Sequence, residues 1–271
     1  MVVSVVTMML AILIMLLVCF AIYLNSRSLD DVKYLRGTAS EKVAEKVFSE
    51  NVEIEKMNNE FTEVAKIQKT DVETCVLDEE SDIMVDVLMK DGSVKNMELE
   101  EYVTGCVFGE MPASFEGQAI MAQSVAVRTF TLRMMIVKSK HKNADVCTNP
   151  ACCQNFADID GKGVSRENRD KLCSAVAATR GVVMMYEGEP INAVYHASSG
   201  KKTLSSEEVW GGRLDYLVSV DAPKGEEQIY AHGYGHRVGM SQHGANLLAM
   251  EGKNYMEILK YYYSGISFSF V

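Results

Sequence analysis

The hydrophobic and polar positions divide the chain into three stretches, and the first is wholly apolar. From Met1 to Leu24 no side chain is charged. A helix of this length is sufficient to cross a hydrocarbon core of about 30 Å. A cleavable signal peptide usually has a shorter apolar run and a small-residue cleavage site. We therefore predict an uncleaved transmembrane anchor over residues 1–24.

The second stretch, residues 25–78, is rich in Glu, Lys and Asn and carries apolar residues at broadly helical spacing. This pattern predicts a charged, partly helical stalk that holds the rest of the chain away from the bilayer. The heptads are not sustained, so a coiled coil that binds a partner is the weaker interpretation.

The third stretch, residues 79–271, alternates between strand and helix patterns. Asp91-Gly92 between two apolar runs is typical of a β-hairpin turn. Ser114 is the expected N-cap of a long helix that reaches about Lys140. The patterns predict hairpins over residues 83–99 and 182–195 and helices over 100–108, 114–140, 166–179, 241–251 and 255–263. The predicted fold class is α+β, a single mixed domain.

Composition and charge exclude several classes of protein. With 48% hydrophobic and 24% charged residues, the 271-residue chain is neither low in complexity nor wholly disordered. Its formal charge is -10 and no basic cluster interrupts the acidic balance. Nucleic-acid binding is therefore excluded as a primary role, because clustered cations supply most of the affinity for phosphates.

The charges near the predicted anchor bear on its orientation. No Lys or Arg precedes the span, whereas Arg27, Lys33 and Arg36 follow it. The positive-inside rule would weakly place the body of the protein in the cytoplasm.

Glu110 is the first candidate for chemistry. Pro112 prevents a helix from continuing, so Glu110 should lie where a helix meets a loop. Its apolar neighbours Phe108, Met111 and Pro112 would partly desolvate the carboxyl group and so favour its protonated form at neutral pH. The alternative is an ordinary solvated glutamate in a loop.

The second candidate is a metal site. His141, Cys147, Cys152 and Cys153 are spaced H-x5-C-x4-C-C. Thiolate and imidazole are preferred ligands of zinc, and four protein ligands would leave no open position, so the predicted site is structural. Free thiols or a Cys147–Cys153 disulfide are the alternatives. Cys106 and Cys173 are expected to be buried thiols.

Two polar segments are candidates for binding sugar hydroxyl groups. The first is YHASSG and the second lies within GYGHRVGMSQHGA. Neither contains a nucleophile elbow, and the glycine spacing is wrong for a dinucleotide loop. A second metal site at His232, His236 and His243 is the weaker alternative, since no carboxylate accompanies them. The predicted substrate-binding residues are Tyr195, His196, Ser198, Ser199, Gly200, Gly235, His236, Gln242 and His243.

Several motifs in one order resemble the stage II sporulation protein D family, whose catalytic domain is shared with LytB-type amidase enhancers. They are EEYVTGCVFGEMP, an alanine-rich helix ending in AVRTF, YHASSG, GYGHRVGMSQHGA and YYYSG. The resemblance covers roughly residues 80–271. It implies a lytic transglycosylase that cleaves peptidoglycan during engulfment, with Glu110 at the position of the catalytic acid.

The resemblance also implies location and partners. Such proteins are anchored in the mother-cell membrane with the domain outside the cytoplasm, and this implication outweighs the weak charge rule. They prefer glycan strands already stripped of stem peptides by a partner amidase and work within a membrane-bound engulfment machinery. The alternative function is a non-catalytic glycan-binding scaffold that recruits and activates a cell-wall amidase.

The sequence departs from the family pattern in four places. Some members have a zinc site of two Cys and two His, and here Cys152 stands where a His is expected. Arg237 replaces a common glycine, and His243 stands where an aromatic residue is frequent. The segment Lys224–His232 is shorter than in many members. The shortened segment bears on substrate affinity more than on the fold.

Overall fold

The computed structural model describes residues 83–137, 140–159 and 165–271. The predicted anchor, residues 1–24, and the predicted stalk, residues 25–78, lie outside the described residues.

The first element of the described residues is the predicted β-hairpin. Strand β1, Met84–Leu88, pairs antiparallel with β2, Val94–Glu98, and Gly92 occupies the turn with φ 86°. Strand β3, Val146–Cys147, then pairs parallel with the other edge of β1. This pairing brings the cysteine segment beside the hairpin, so the first hairpin is confirmed and also anchors the candidate metal site.

Two helices lie between the hairpin and β3 in the chain and form the centre of the domain. Helix α1 is Leu99–Glu110 and helix α2 is Gly117–Val137, so α2 begins three residues later than the predicted cap at Ser114. Much of the surface of α2 is buried, including Ala119 and Phe130. Because α2 contacts helices and strands on several sides, it is apolar around most of its circumference.

Helix α2 is also the one helix among the described residues that is long and apolar enough to cross a membrane. Of its apolar window, 67% is buried inside the protein. Its apolarity is therefore accounted for by its place in the core.

The remaining elements surround α2 in small sheets and short helices. The helices are α3 Arg166–Ala177, α4 Ser206–Trp210, α5 Glu226–Ile229, α6 Gln242–Met250 and α7 Tyr255–Tyr262. The strands are β4 Val182–Tyr186, β5 Glu189–Pro190, β6 Tyr195–His196, β7 Met240–Ser241 and β8 Ser267–Phe270. The mixed α+β class is confirmed for the described residues.

The second predicted hairpin is only partly present. Strand β5 contains two residues, and the chain then leaves β4 so that β6 pairs parallel with β7, far along the sequence. The carbonyl of Val194 accepts hydrogen bonds from the Tyr263 hydroxyl at 2.8 Å and from the Met240 N–H at 3.2 Å. These tertiary partners replace the hairpin ladder that the local sequence predicts.

A buried ion pair joins α1, α2 and β4. Arg128 donates to both carboxylate oxygens of Glu100, at 2.6 and 2.7 Å, and to the carbonyl of Val182 at 3.1 Å. The Gly181 N–H also donates to Glu100, and the two charged side chains are 0% and 2% exposed. A bidentate pair with its remaining lone pairs satisfied can offset the cost of removing two charges from water.

We predict that Arg128→Met lowers the free energy of unfolding by about 3–5 kcal/mol, because it leaves the Glu100 carboxylate buried without its partner. Urea unfolding of the full chain followed by near-UV circular dichroism measures the change. Arg213→Met is the matched control, since it breaks an exposed pair with Asp215 and should leave the midpoint unchanged. Equal effects of the two substitutions would contradict this account of the buried pair.

Candidate functional site

A cavity of about 770 Å³ opens beside the end of helix α1. Its size lies in the range of small-molecule sites. It contains Glu110 together with residues from each of the segments that the sequence analysis selected, namely Cys152, Cys153, Tyr195, His196, Gly235, His236 and Gln242. Residues far apart in the sequence therefore meet around one carboxyl group.

Glu110 is the last residue of α1, as the sequence predicts. The following residue, Met111, is extended, so the helix ends where Pro112 requires it to end. The carboxylate of Glu110 accepts a hydrogen bond from the Asn155 backbone N–H at 2.7 Å, and the Gln242 amide donates to the Glu110 backbone carbonyl at 3.3 Å. The half-buried side chain faces the cavity rather than bulk water.

Burial raises the pKa of Glu110 above its ordinary value. Hydrogen bonds from the Asn155 backbone and from the side chains of Gln242 and Tyr195 act against this rise, because they favour the charged form. Desolvation is the largest influence, so the carboxyl group keeps its proton to a higher pH than a solvated glutamate does. A rise in pKa is the direction of change that favours a carboxyl group as a general acid.

The four predicted metal ligands lie together. The ligand atoms of His141, Cys147, Cys152 and Cys153 are all within 4.8 Å of one another. The His141 Nε2 atom is 3.4 Å from the Cys153 sulfur and 3.6 Å from the Cys152 sulfur, and the two sulfurs are 3.9 Å apart. A tetrahedral zinc site with ordinary bond lengths has edges of about 3.6 Å between N and S and about 3.8 Å between two S atoms. The three distances among His141, Cys152 and Cys153 fit such a site, and the Cys147 sulfur lies within 4.8 Å of the other three ligand atoms.

The state of the cysteines excludes one of the two alternatives to a metal at this cluster. Cys147 and Cys153 are both free thiols, which excludes the disulfide between them. Burial raises the pKa of Cys153 to about 12, and a bound cation would reverse this effect by stabilising the thiolate. Cys106 is a buried thiol as expected, whereas Cys173 was expected to be one and instead forms a disulfide bond.

Tyr195 and His196 occupy strand β6 and have different surroundings. The Tyr195 hydroxyl accepts a hydrogen bond from the Gln154 amide at 3.1 Å and faces Glu110. His196 is 5% exposed, with its Nδ1 atom 3.1 Å from the Val238 carbonyl and its Nε2 atom 3.1 Å from the Ser199 hydroxyl. Burial, reinforced by His236, lowers the pKa of His196 to about 3, so its ring is neutral at neutral pH.

The serines of the YHASSG motif do not face the cavity. Ser198 and Ser199 are fully buried, and both direct donors at Glu226: the Ser198 hydroxyl at 3.1 Å and the Ser199 N–H at shorter range. The Ser241 hydroxyl donates to the same carboxylate oxygen at 2.6 Å. The Ser199 hydroxyl lies 3.1 Å from the His196 Nε2 atom, and the adjacent Gly200 is also buried. The structure therefore does not bring Ser198, Ser199 and Gly200 to the cavity, and their contact with a sugar stays a prediction.

The glycine-rich segment contributes to the cavity unevenly. Gly235, His236 and Gln242 line it, whereas His243 packs with ring centroids 5.1 Å from Phe115 and 5.7 Å from Tyr230. His243 therefore packs against these two aromatic rings and does not line the cavity. Within the described residues the only cluster able to hold a metal is the cysteine cluster, so His232, His236 and His243 do not form a second one.

Arg237 shows why a glycine is common at its position. Its backbone has φ 63°, in the left-handed region that favours glycine. The guanidinium group offsets this strain by donating to the carbonyls of Ser199 and Lys202, both at 3.1 Å.

Several residues of the site are not predicted from the sequence. Trp210 and Tyr234 line the cavity and are 48% and 66% exposed, and the Trp210 ring lies 5.3 Å from His236. Trp210 is the only tryptophan in the chain and precedes two glycines, a signal that could have identified it. Asn155 and Glu226 gave no such signal, because their roles depend on partners far away in the sequence.

The geometry defines a class of protein: an α+β domain with one half-buried carboxyl group in a cavity, next to a Cys3His cluster. A sequence model described as Stage II sporulation protein matches residues 90–186. Stage II sporulation protein D of Bacillus subtilis (strain 168) is 28% identical over 260 residues, covering 65% of this chain and 76% of the relative. The same protein of Bacillus amyloliquefaciens is 27% identical with the same coverage.

A third relative is the amidase enhancer of Bacillus subtilis (strain 168). It is 31% identical over 115 residues, which are 42% of this chain and 14% of that protein. The chain is therefore similar to the stage II sporulation protein D family over its matched residues.

We predict that His196 makes the domain less stable in acid. Its pKa of about 3 lies below the ordinary value of 6.5, so the unfolded chain binds the extra proton more readily. The stabilising effect of neutral His196 is complete above pH 6.5 and is lost, by about 1.4 kcal/mol per pH unit, as the pH falls toward 3. Denaturant unfolding from pH 7 to 4 should show this slope in the wild type and a shallower one in His196→Gln. Parallel slopes would contradict the prediction.

Proposed function

We propose that the chain is a peptidoglycan lytic transglycosylase that acts on glycan strands, with Glu110 as its acid and base. The observation that carries the proposal is the number of carboxyl groups in the cavity. Among the described residues that line it, Glu110 is the only Asp or Glu. A hydrolytic glycosidase ordinarily needs two carboxyl groups, one on each side of the scissile bond, and a lytic transglycosylase needs one.

The reaction balances with that single group. Protonated Glu110 gives its proton to the glycosidic oxygen, and the bond from that oxygen to C1 of the muramyl residue breaks. The 6-hydroxyl oxygen of the same residue bonds to C1, and its proton passes to the Glu110 carboxylate. The product is a 1,6-anhydro-muramyl end, and the acid is restored for the next cycle. The raised pKa of Glu110 supports the first step.

The rest of the cavity suits a glycan. The rings of Trp210 and Tyr234 are exposed and could stack on pyranose faces. Arg133 and Lys140 also line the cavity, although the chain as a whole has a charge of -10. Muramyl residues without stem peptides carry a free lactyl carboxylate, and Lys140 would attract it, whereas Arg133 already pairs with Glu189 at 2.9 Å. This charge pattern supports the preference for denuded strands.

We further propose that His141, Cys147, Cys152 and Cys153 hold a structural zinc ion. The spacing of the ligand atoms supports this assignment, and four protein ligands leave no position for a substrate or water. The chemistry that zinc supplies here is the stabilisation of three thiolates. Hydrolysis by a metal-bound water has no support at this cluster.

The proposed location is the cell membrane, by one span, with the domain outside the cytoplasm and facing the intermembrane space during engulfment. The uncharged stretch from Met1 to Leu24 supports the span. The disulfide at Cys173 is consistent with an oxidising compartment. The proposed partners are a cell-wall amidase and the membrane scaffold of the engulfment machinery.

A second candidate function is a glycan-binding scaffold that recruits and activates such an amidase. The 115-residue similarity to a protein named amidase enhancer favours it. The two functions differ in turnover, since a scaffold would bind stripped glycan strands and leave them intact.

We expect the full chain to release 1,6-anhydro-muramyl ends from denuded strands, as detected by mass spectrometry. Glu110→Gln keeps the size of the side chain but has no acidic proton, so the rate should fall by about 10²–10⁴-fold. Glu101→Gln, an exposed position on the same helix, is the matched control and should retain full activity. Binding without anhydro ends in the wild type would favour the scaffold, and an equally active Glu110→Gln would end the catalytic proposal.

Removing the metal should lower the thermal midpoint of the full chain, because an ion that binds only the folded state stabilises it through linkage. Zinc added back should restore the midpoint, whereas magnesium should not, since it prefers oxygen ligands. Elemental analysis of protein purified without added metal provides the direct check. Less than about a tenth of an equivalent of zinc, set against the tight binding expected of such sites, would contradict the assignment.

A further inference from the structure

The residues that follow the cysteine pair run along one face of helix α1. We call residues 154–157 the link segment. The Ala157 N–H donates to the Gly105 carbonyl at 3.0 Å, and the Asn155 side-chain amide donates to the Gly109 carbonyl at 2.7 Å. The Phe156 ring stacks on Tyr102 with centroids 5.9 Å apart. The link segment is therefore held against α1 at three successive residues.

Two glycines one helical turn apart allow this close approach. A Cβ atom at Gly105 would overlap the Phe156 ring, and one at Gly109 would lie 2.9 Å from the Asn155 carbonyl oxygen and 3.1 Å from the Phe156 nitrogen. Because these neighbours at Gly109 are backbone atoms, any larger residue there must displace the link segment.

The link segment reaches both polar groups at the centre of the cavity. The Asn155 N–H donates to the Glu110 carboxylate at 2.7 Å, and the Gln154 amide donates to the Tyr195 hydroxyl at 3.1 Å. The other end of the Gln154 amide accepts from the buried Thr131 hydroxyl at 3.2 Å, which fixes its orientation. Gln154 and Asn155 therefore each make one hydrogen bond to a residue of the cavity and a second hydrogen bond that restrains their position.

The N-terminal end of the link segment adjoins the cluster of His141, Cys147, Cys152 and Cys153, which we call the metal cluster. Cys153 directly precedes Gln154, and one residue separates it from Asn155. The N–H groups of Cys152 and Cys153 both donate to the Asn149 carbonyl at 2.9 Å, and Lys140 donates to the Cys152 carbonyl at 2.7 Å. A chain this short, at most about 3.6 Å per residue, cannot absorb a displacement of the thiols.

We propose that the metal cluster positions Glu110 through the link segment and that Asn155 is the positioning residue. A cation held by Cys152 and Cys153 fixes the Asn155 N–H, and that N–H sets the orientation of the carboxyl group in the cavity. This proposal rests on the proposed catalytic role of Glu110. It gives the metal an effect on the active site that involves no contact with the substrate.

The first test measures Glu110 itself, in the full chain in detergent with ¹³C-labelled glutamate carboxyl groups. The resonance of Glu110 is identified by its loss in Glu110→Gln. We expect it to move when a chelator removes the metal and to return when Zn²⁺ is added, with the near-UV circular dichroism of the domain unchanged. A resonance that does not respond to metal removal would overturn the proposal. Global unfolding on chelation would also overturn it, in favour of a role in stability alone.

The second test displaces the link segment without changing a metal ligand. Gly109→Ala should lower kcat by about tenfold with KM unchanged, since a misplacement of about 1 Å can cost 10²-fold in rate. Asn155→Ala, which removes only the contact with the Gly109 carbonyl, should show a smaller loss of the same kind. Gly117→Ala is the matched control, because a Cβ there meets nothing within 4 Å, and it should not change kcat.

Co²⁺ substituted into the cluster should give the same absorption spectrum in Gly109→Ala as in the wild type, which shows that the ligands are undisturbed. If kcat stays within twofold of the wild type in both link-segment variants, the proposal is wrong. If a variant does not fold, the chelation measurement on the wild-type chain still decides. That measurement uses no substrate, so a failure of the transglycosylase proposal would appear separately, as an absence of anhydro products.

Discussion

The buried ion pair between Glu100 and Arg128 is the constraint on which the rest of the domain depends. Glu100 lies in the first turn of α1, and Arg128 lies in the second half of the core helix α2. Through the Gly181 N–H and the Val182 carbonyl the pair also fixes the start of β4. Since Glu110 ends the same helix α1, the orientation of that helix against the core determines where its carboxyl group meets the cavity.

A second buried carboxylate joins two segments that are far apart in the sequence. Glu226 accepts from Ser198, Ser199 and Ser241 and so joins the end of β6 to the beginning of helix α6. Two of its partners, Ser198 and Ser199, are residues that the sequence predicts to bind sugar. The two glutamates, Glu100 and Glu226, are buried in the structure and do not line the cavity, whereas Glu110 faces it.

The sequence alone was sufficient to predict the structure where the signal is local. The Asp91-Gly92 turn, the end of α1 before Pro112 and the Cys3His spacing each depend on residues close together in the chain, and the structure agrees with all three. The sequence was insufficient to predict contacts in which the hydrogen-bond partner lies far away along the chain. Nothing near Val194 indicates that its carbonyl pairs with Met240 and Tyr263, and nothing near Ser199 indicates an acceptor 27 residues away.

The close contact between the link segment and the glycine face of α1 has a consequence for which sequence changes this domain can accept. The identity of a metal ligand can change between histidine and cysteine, since either donor completes a tetrahedral site. The number of residues between the last cysteine and Asn155 cannot change so freely, because an insertion or deletion there would move Asn155 out of register with Gly109. In this part of the chain, side chains can be exchanged more freely than residues can be inserted or deleted.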